Sequence, residues 1–236
     1  SGVINTSIGI TDVGTAVPRS AATTDGSIFY AGTSTGIRYV GTPSGSATSV
    51  LIDTRNSREV QLSGGNLIAS NGSTAITGKV QSYGPLPTST TAAIPLVSLG
   101  TADAVNGFVM FDLDAGVAGD DTLYALSTVT NTVVKYSFDG TTWLANGNIP
   151  ASGAVNLTGA ANGSTVSLFL TSGASLYAYS DASGYNTTLT GTLGTAIATA
   201  GTNTAFRGIA QFAIPEPGAG LLGLLGLTTF LRRRRR

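Results

Sequence analysis

Along most of the chain, large apolar residues come in short bursts separated by Ser, Thr, Gly and Asn. Ile28, Phe29 and Tyr30 form one such burst, and Ile37, Tyr39 and Val40 answer it after a few polar residues. Brief apolar and alternating runs bounded by turn residues predict half-buried strands. The pattern predicts strands over residues 27–32 and 36–41 about a tight turn at 33–36, then over 47–53 and 58–62. A further hairpin is predicted over 66–69 and 75–80, turning at Asn71-Gly72. Pro85, Pro87 and Pro95 mark 84–95 as a loop or an edge excursion, because proline cannot donate to a central ladder. Residues 1–26 are polar, with only short alternating pieces.

The second half follows the same plan. Strands are predicted over 108–114, 122–126 and 132–138, with a Gly/Asp loop at 115–121. Asp139-Gly140 is a hairpin signal answered by 142–144. Strands at 155–158, 164–170 and 174–179 come next, then weaker ones at 187–193 and 195–199 and a last one at 206–212. No helix-period pattern of useful length precedes residue 214.

Three phrases share one layout: DGSIFYAGTSTGIRYV, DDTLYALSTVTNTVVKYSFDG and GSTVSLFLTSGASLYAYSDASG. Each is a turn, an apolar strand, a Ser/Thr/Gly turn, and a second strand carrying or ending near a tyrosine. Tyr30 to Tyr124 spans 94 residues and Tyr124 to Leu170 spans 46, giving a period near 47 with a unit around 66–80 in between. An all-β unit of that length predicts propeller blades, each a four-stranded meander, about four of them over residues 1–212. A β-sandwich or an irregular β-solenoid is the competing architecture. The chain opens at Ser1 with no Met and no leader-like segment, so a processed or partial propeller is expected.

Composition narrows the chemistry. Cysteine and histidine are absent, which removes thiol chemistry, cysteine-based metal sites and the commonest general base. Lys plus Arg and Asp plus Glu each total 12, but five of the basic residues are the last five. Residues 1–231 are therefore mildly acidic, without the basic stripe that nucleic acid requires.

Those last residues carry a resemblance. Pro215, Glu216 and Pro217 are followed by an apolar run over 218–231 and then by Arg232, Arg233, Arg234, Arg235 and Arg236. The order of triplet, short apolar segment and arginine cluster resembles the PEP-CTERM sorting signal of Gram-negative, exopolysaccharide-producing bacteria. The resemblance implies recognition by an exosortase, a membrane cysteine protease cleaving near the triplet. It also implies export, transient inner-membrane anchoring, and release or anchoring at the cell surface or in extracellular matrix. Residues 213–236 are expected to form this signal, with a short transmembrane helix whose basic end stays cytoplasmic. The phrases TLYALSTVTNTVVKYSFDGTTW and TNTAFRGIAQFAIPEP look like those of surface propeller proteins carrying this tag.

The body offers few catalytic candidates. Asp112 and Asp114 are expected on one side of a strand, with Asp120 and Asp121 in the next loop. Such carboxylates with nearby carbonyls suit Ca²⁺, but no EF-hand or nonapeptide calcium spacing accompanies them, and solvated turn acids are the plainer reading. Glycoside hydrolysis needs two carboxylates flanking a sugar. Apart from Glu216 the chain has one glutamate, Glu59, which with Arg55 and Arg58 reads as a surface ion cluster. Arg207 is expected to pair with a turn acid. No Walker or dinucleotide-binding glycine pattern occurs. Tyr30, Tyr39, Tyr124, Tyr136, Tyr177, Tyr179 and Trp143 suit either blade cores or carbohydrate stacking. The expected function is a non-enzymatic, exported surface or matrix protein without a cofactor. A carbohydrate-binding or adhesive module is the alternative, with exopolysaccharide or other glycans as partners, and a polysaccharide-active enzyme comes third.

Overall fold

A computed structural model describes residues 9–41, 46–73, 75–100 and 102–210. The sorting triplet, the apolar run and the arginine cluster lie outside the described residues. Among the described residues the chain forms strands and turns, and no helix is long and apolar enough to cross a membrane. The expected transmembrane helix is not found among them, which corrects that expectation for the described residues; the stretch 218–231 on which the sequence places it lies outside them.

The sixteen strands that matter here fall into four antiparallel sheets of four. A short strand β1 (Gly9–Ile10) precedes the first sheet, which holds β2 (Pro18–Thr23), β3 (Phe29–Thr33), β4 (Gly36–Gly41) and β6 (Val50–Asp53). Between the last two, β5 (Ser46–Ala47) pairs in parallel with β1. The second sheet is β7 (Ser57–Ser63), β8 (Asn66–Asn71), β9 (Gly78–Pro85) and β10 (Ile94–Ser98). The third is β11 (Val105–Phe111), β12 (Thr122–Ser127), β13 (Thr132–Phe138) and β14 (Trp143–Pro150). The fourth is β15 (Ala154–Asn162), β16 (Thr165–Ser172), β17 (Ser175–Asp181) and β18 (Ala198–Thr199). Within each sheet the strand order follows the chain, so each is a meander. Pro95 is tolerated because β10 is an outermost strand.

The sheets stand side by side as blades of a four-bladed, propeller-like, all-β fold. The first strands of successive blades, β2, β7, β11 and β15, pack against one another in that order. No comparable packing joins β15 to β2 among the described residues. Three cores fill the junctions. Tyr30, Ile37 and Ile52 meet Val60, Leu67 and Tyr83 between blades one and two. Ile68, Val80 and Val97 meet Phe108, Leu123 and Tyr136 between two and three. Tyr124, Leu126, Val133 and Ile149 meet Leu157, Leu168 and Leu170 between three and four. Fully burying one such aliphatic or aromatic side chain contributes roughly 1.5–3 kcal/mol.

Each inner strand has a neighbour on one edge only, and side chains from the preceding blade satisfy part of the other. Val60 N donates to Ser20 Oγ at 3.0 Å. Phe108 N donates to Glu59 Oε2 at 3.1 Å, and Gln61 Nε2 donates to Phe108 O at 2.6 Å. Gly107 lets β11 and β15 approach, since a Cβ there would meet Leu157 N at 2.8 Å.

Several expectations are corrected. The second strands begin at Phe29, Asn66, Thr122 and Thr165, intervals of 37, 56 and 43 residues, so the period near 47 averages unequal blades. Asp112 and Asp114 do not lie on a strand, because β11 ends at Phe111. Residues 206–210 form no strand, and the fourth blade closes instead with the two-residue β18. Glu59 is half-buried, and its partners are Gln61 and a backbone amide rather than an arginine.

Candidate functional site

The hairpin β13–β14 turns through Asp139-Gly140, where Gly140 has φ 93°. Asp139 Oδ1 accepts from Thr141 N and Thr142 N, both at 2.8 Å. Those two amides, Thr142 foremost, hold its carboxyl below the usual range. The tight turn places Phe138 and Trp143 opposite one another, ring centroids 5.3 Å apart and planes 32° from parallel. Tyr185 Oη donates to Phe138 O at 2.7 Å and braces the pair from blade four.

The loop 112–121 is pinned from within. Asp121 is fully buried, and its carboxylate accepts from Leu113 N at 3.1 Å, Asp114 N at 2.6 Å and Thr122 Oγ1 at 2.7 Å. Asp114 Oδ1 accepts Gly116 N at 3.0 Å, and Asp112 is exposed. The four acids therefore do separate jobs, and among the described residues no three or more His, Cys, Asp or Glu gather as a metal site. Pinning leaves Ala118, Gly119 and Asp120 presented toward the neighbouring blade. Asp120 Oδ2 lies 3.3 Å from where a Cβ on Gly64 would sit, at the β7–β8 turn.

Between these features lies a groove of about 380 Å³ spanning blades two and three. Its apolar walls are Ile68, Ile94, Pro95, Leu96, Met110, Phe138 and Trp143. Its polar rim is Ser63, Asn66, Ser82, Asp120 and Thr141. Asp120 is the one carboxylate in that lining, it is half-buried, and no hydrogen bond to it forms among the described residues. Asn66 Nδ2 donates to Gly64 O at 3.2 Å. An indole and a carboxylate without a donor lining one groove offer apolar contact and hydrogen-bond acceptance together.

The other aromatic candidates separate clearly. Tyr30, Tyr124 and Tyr136 are buried, and Tyr39, Tyr177 and Tyr179 pack against blade cores. Only Trp143 of the seven lines the groove, joined by Phe138. Arg207 is exposed and has no ion-pair partner among the described residues, correcting its expected pairing. Glu59, read from sequence as exposed, has its carboxyl pushed up to about 7 by burial, with Gln61 and the Phe108 amide pulling partly back.

Two further polar networks are structural. Lys135 Nζ pairs with Asp181 Oδ2 at 2.9 Å, donates to Ser183 Oγ at 2.9 Å and Gly184 O at 2.5 Å, and is fully buried. Tyr124 Oη donates to Asp181 Oδ2 at 2.6 Å. Burial raises the Asp181 carboxyl, but donors from Ser183, Tyr124 and Lys135 outweigh it and leave it lowered. Burial and the Asp181 hydrogen bond push the Tyr124 phenol far up. In the second network, Tyr83 Oη donates to Asp53 Oδ2 at 2.8 Å, and Arg55 pairs with the same carboxylate.

No protein-family model and no curated protein sequence matches the chain. Solved structures do. The extracellular domain of a candidate hybrid two-component system from B. thetaiotaomicron aligns with TM-score 0.50 and 15% identity, over 82% of this chain and 24% of that one. A candidate 6-phosphogluconolactonase from Bacteroides uniformis aligns with TM-score 0.46 and 16% identity, over 72% and 54%. An exo-β-1,3-galactanase from Phanerochaete chrysosporium, solved with β-1,3-galactotriose, aligns with TM-score 0.44 and 11% identity, over 71% and 47%. The chain spans about half or less of the length of these structures. At such identities what is shared with the first of them is the fold.

Proposed function

We propose that the body is a carbohydrate-binding, adhesive propeller module whose ligand lies in the groove between blades two and three. The observation that carries this reading is that the half-buried Trp143 lines the same groove as Asp120, a carboxylate with no donor among the described residues. A pyranose has an apolar C–H face that stacks on an aromatic ring and hydroxyls that donate to a carboxylate. Trp143 and Phe138 supply the stacking surface, Asp120 accepts hydroxyl protons, and Asn66 and Thr141 set orientation from the rim. Asp139 stays outside this role because its oxygens are spent on its own turn.

A glycan array followed by calorimetry on the best hit tests the reading. Trp143→Ala and Asp120→Ala are each expected to weaken binding by at least about tenfold. A protein that binds no sugar on the array, or binds as well with Trp143 removed, overturns it.

The C-terminal sequence favours a second reading, which concerns address rather than ligand. Pro215-Glu216-Pro217, the apolar run and Arg232 to Arg236 fit a sorting signal for an exosortase, which makes this a surface or matrix protein. Mass spectrometry of the mature protein from an exosortase-bearing host is expected to find the arginines gone. Their retention sinks this reading and leaves the glycan reading standing.

A further inference from the structure

Trp143 lines two depressions. The first is the groove already described, which reaches Gly64 and Asp120. The second, of about 470 Å³, reaches Ser98, Tyr136 and Ala145. Both are lined by Pro95, Leu96, Thr141 and Trp143, so they adjoin along the margin between β10 and β14. Each alone falls within the roughly 300–1,000 Å³ of ligand pockets.

We propose that the two depressions are successive subsites of one cleft, built for internal residues of a neutral polysaccharide chain. The inference rests on the glycan-binding reading above and adds ligand length and charge to it. A site for a single terminal sugar needs one pocket and a wall that stops the chain. Here the shared residues give continuity instead, and a chain seated against Asp120 passes Trp143 into the second depression. Hydroxyl-bearing side chains accompany it there, with Thr142 and Ser98 joining Thr141.

Charge decides the class of polymer. No lysine or arginine lines either depression, and the one ionised lining group is the Asp120 carboxylate. Asp139, in the turn bearing Thr141 and Thr142, adds a second negative charge at the rim. Uronate or sulfate groups would enter a cleft of their own sign with no cation to meet them, whereas hydroxyls find acceptors. The Tyr136 phenol, raised to about 12 by burial, stays neutral at physiological pH.

Calorimetry on the full chain with β-linked gluco- and galacto-oligosaccharides of two to six residues tests the proposal, with polygalacturonate as the anionic comparator. The hexasaccharide of the preferred series is expected to bind at least about tenfold tighter than the disaccharide, and polygalacturonate to bind worse than either. Ala145→Trp fills the second depression from an exposed strand position and is expected to collapse the hexasaccharide's advantage, while melting with the native chain. A disaccharide that binds as tightly as the hexasaccharide overturns the two-subsite inference alone. Preferred binding of polygalacturonate overturns the neutral class alone. If no saccharide of any length binds, the glycan-binding reading falls and takes this one with it.

Discussion

Two blade junctions built on the same plan end differently. Between blades three and four, the connection from β17 to β18 runs from residue 182 to 197 and lies back across blade three. Tyr185 Oη reaches Phe138 O, Asn186 N donates to Ser137 Oγ at 3.1 Å, and Leu189 N donates to Asn146 O at 2.8 Å. Leu189 is buried in the core there. Between blades two and three, the corresponding connection is residues 139–142, four residues long. Nothing folds back, and the groove stays open with Trp143 at its edge. Of these two junctions, loop length rather than strand pattern decides which stays open. Loops tolerate such changes of length at little thermodynamic cost.

The sharpest way to break this contrast is to remove what locks the sealed junction. Lys135→Ala leaves the Asp181 carboxylate buried without its cation, a kind of change that costs roughly 3–5 kcal/mol. The expected result is a large fall in the denaturant midpoint with an unchanged urea slope. A loss below about 1 kcal/mol would show that Tyr124 and Ser183 suffice to hold Asp181. Acid should act on the same lock. The Asp181 carboxyl is lowered in the folded state, so its contribution is present above the unfolded value of 3.8 and fades as pH falls through the lower folded value.

The open junction carries its ionisable group at the inner edge, and its pH dependence has the opposite sign. Burial pushes the Glu59 carboxyl up to about 7 in the folded chain, against an ordinary value of 4.5. Between those values the folded chain holds a proton that the unfolded chain has released. Stability from this group is therefore highest below pH 4.5, declines as pH rises through the window, and is fully lost above about 7. The size is about 3 kcal/mol, order of magnitude only. Chemical unfolding at pH 5.5 and pH 8 should show the native chain weakening and Glu59→Gln showing a flatter profile. Equal slopes would mean that the carboxyl reaches water.

What the sequence showed of this, and what it hid, follows from side-chain size and chain separation. Strands 36–41 and 132–138 were legible to the residue, because tyrosines and β-branched residues alternate within clear turns. The inner strand β2 was not, since Pro-Arg-Ser-Ala-Ala-Thr has no large apolar residue and packs by small ones. Glu59 looked like a surface charge because arginines flank it in sequence. Its burial depends on Phe108, 49 residues away. The groove was legible only as Trp143 and Asp120 taken separately. What joins them is the arrangement of three loops, and no local pattern encodes that.

A smaller perturbation sharpens the comparison at the bridge between the long connection and blade three. Gly147 has φ 80° and pairs with Leu189, and a Cβ there would meet Leu189 O at 2.5 Å. Gly147→Ala should push the connection away from β14 and cost about 1–3 kcal/mol. Hydrogen exchange should rise at the Leu189 amide first. Unchanged protection at that amide would mean that Leu189 in the core, not the bridge, holds the connection down.

The least effect on stability is expected where the contrast matters most for function. Trp143 is half-buried at the start of an outermost strand, stacked on Phe138 and packed at the margin of the core between blades two and three, where it also lines the groove. Trp143→Ala removes a side chain that is only half-buried, so the loss should stay near 1–2 kcal/mol, under the roughly 3–5 usual for a fully buried tryptophan. Part of the side chain serves the core and part faces the groove, so the two roles can be separated by experiment. The measurement that separates the roles is the pair of stability and glycan affinity on the same variant. Stability near native with binding lost assigns Trp143 to the ligand. Binding and stability lost together assign it to the hairpin, and the open junction would then be a gap in packing rather than a site.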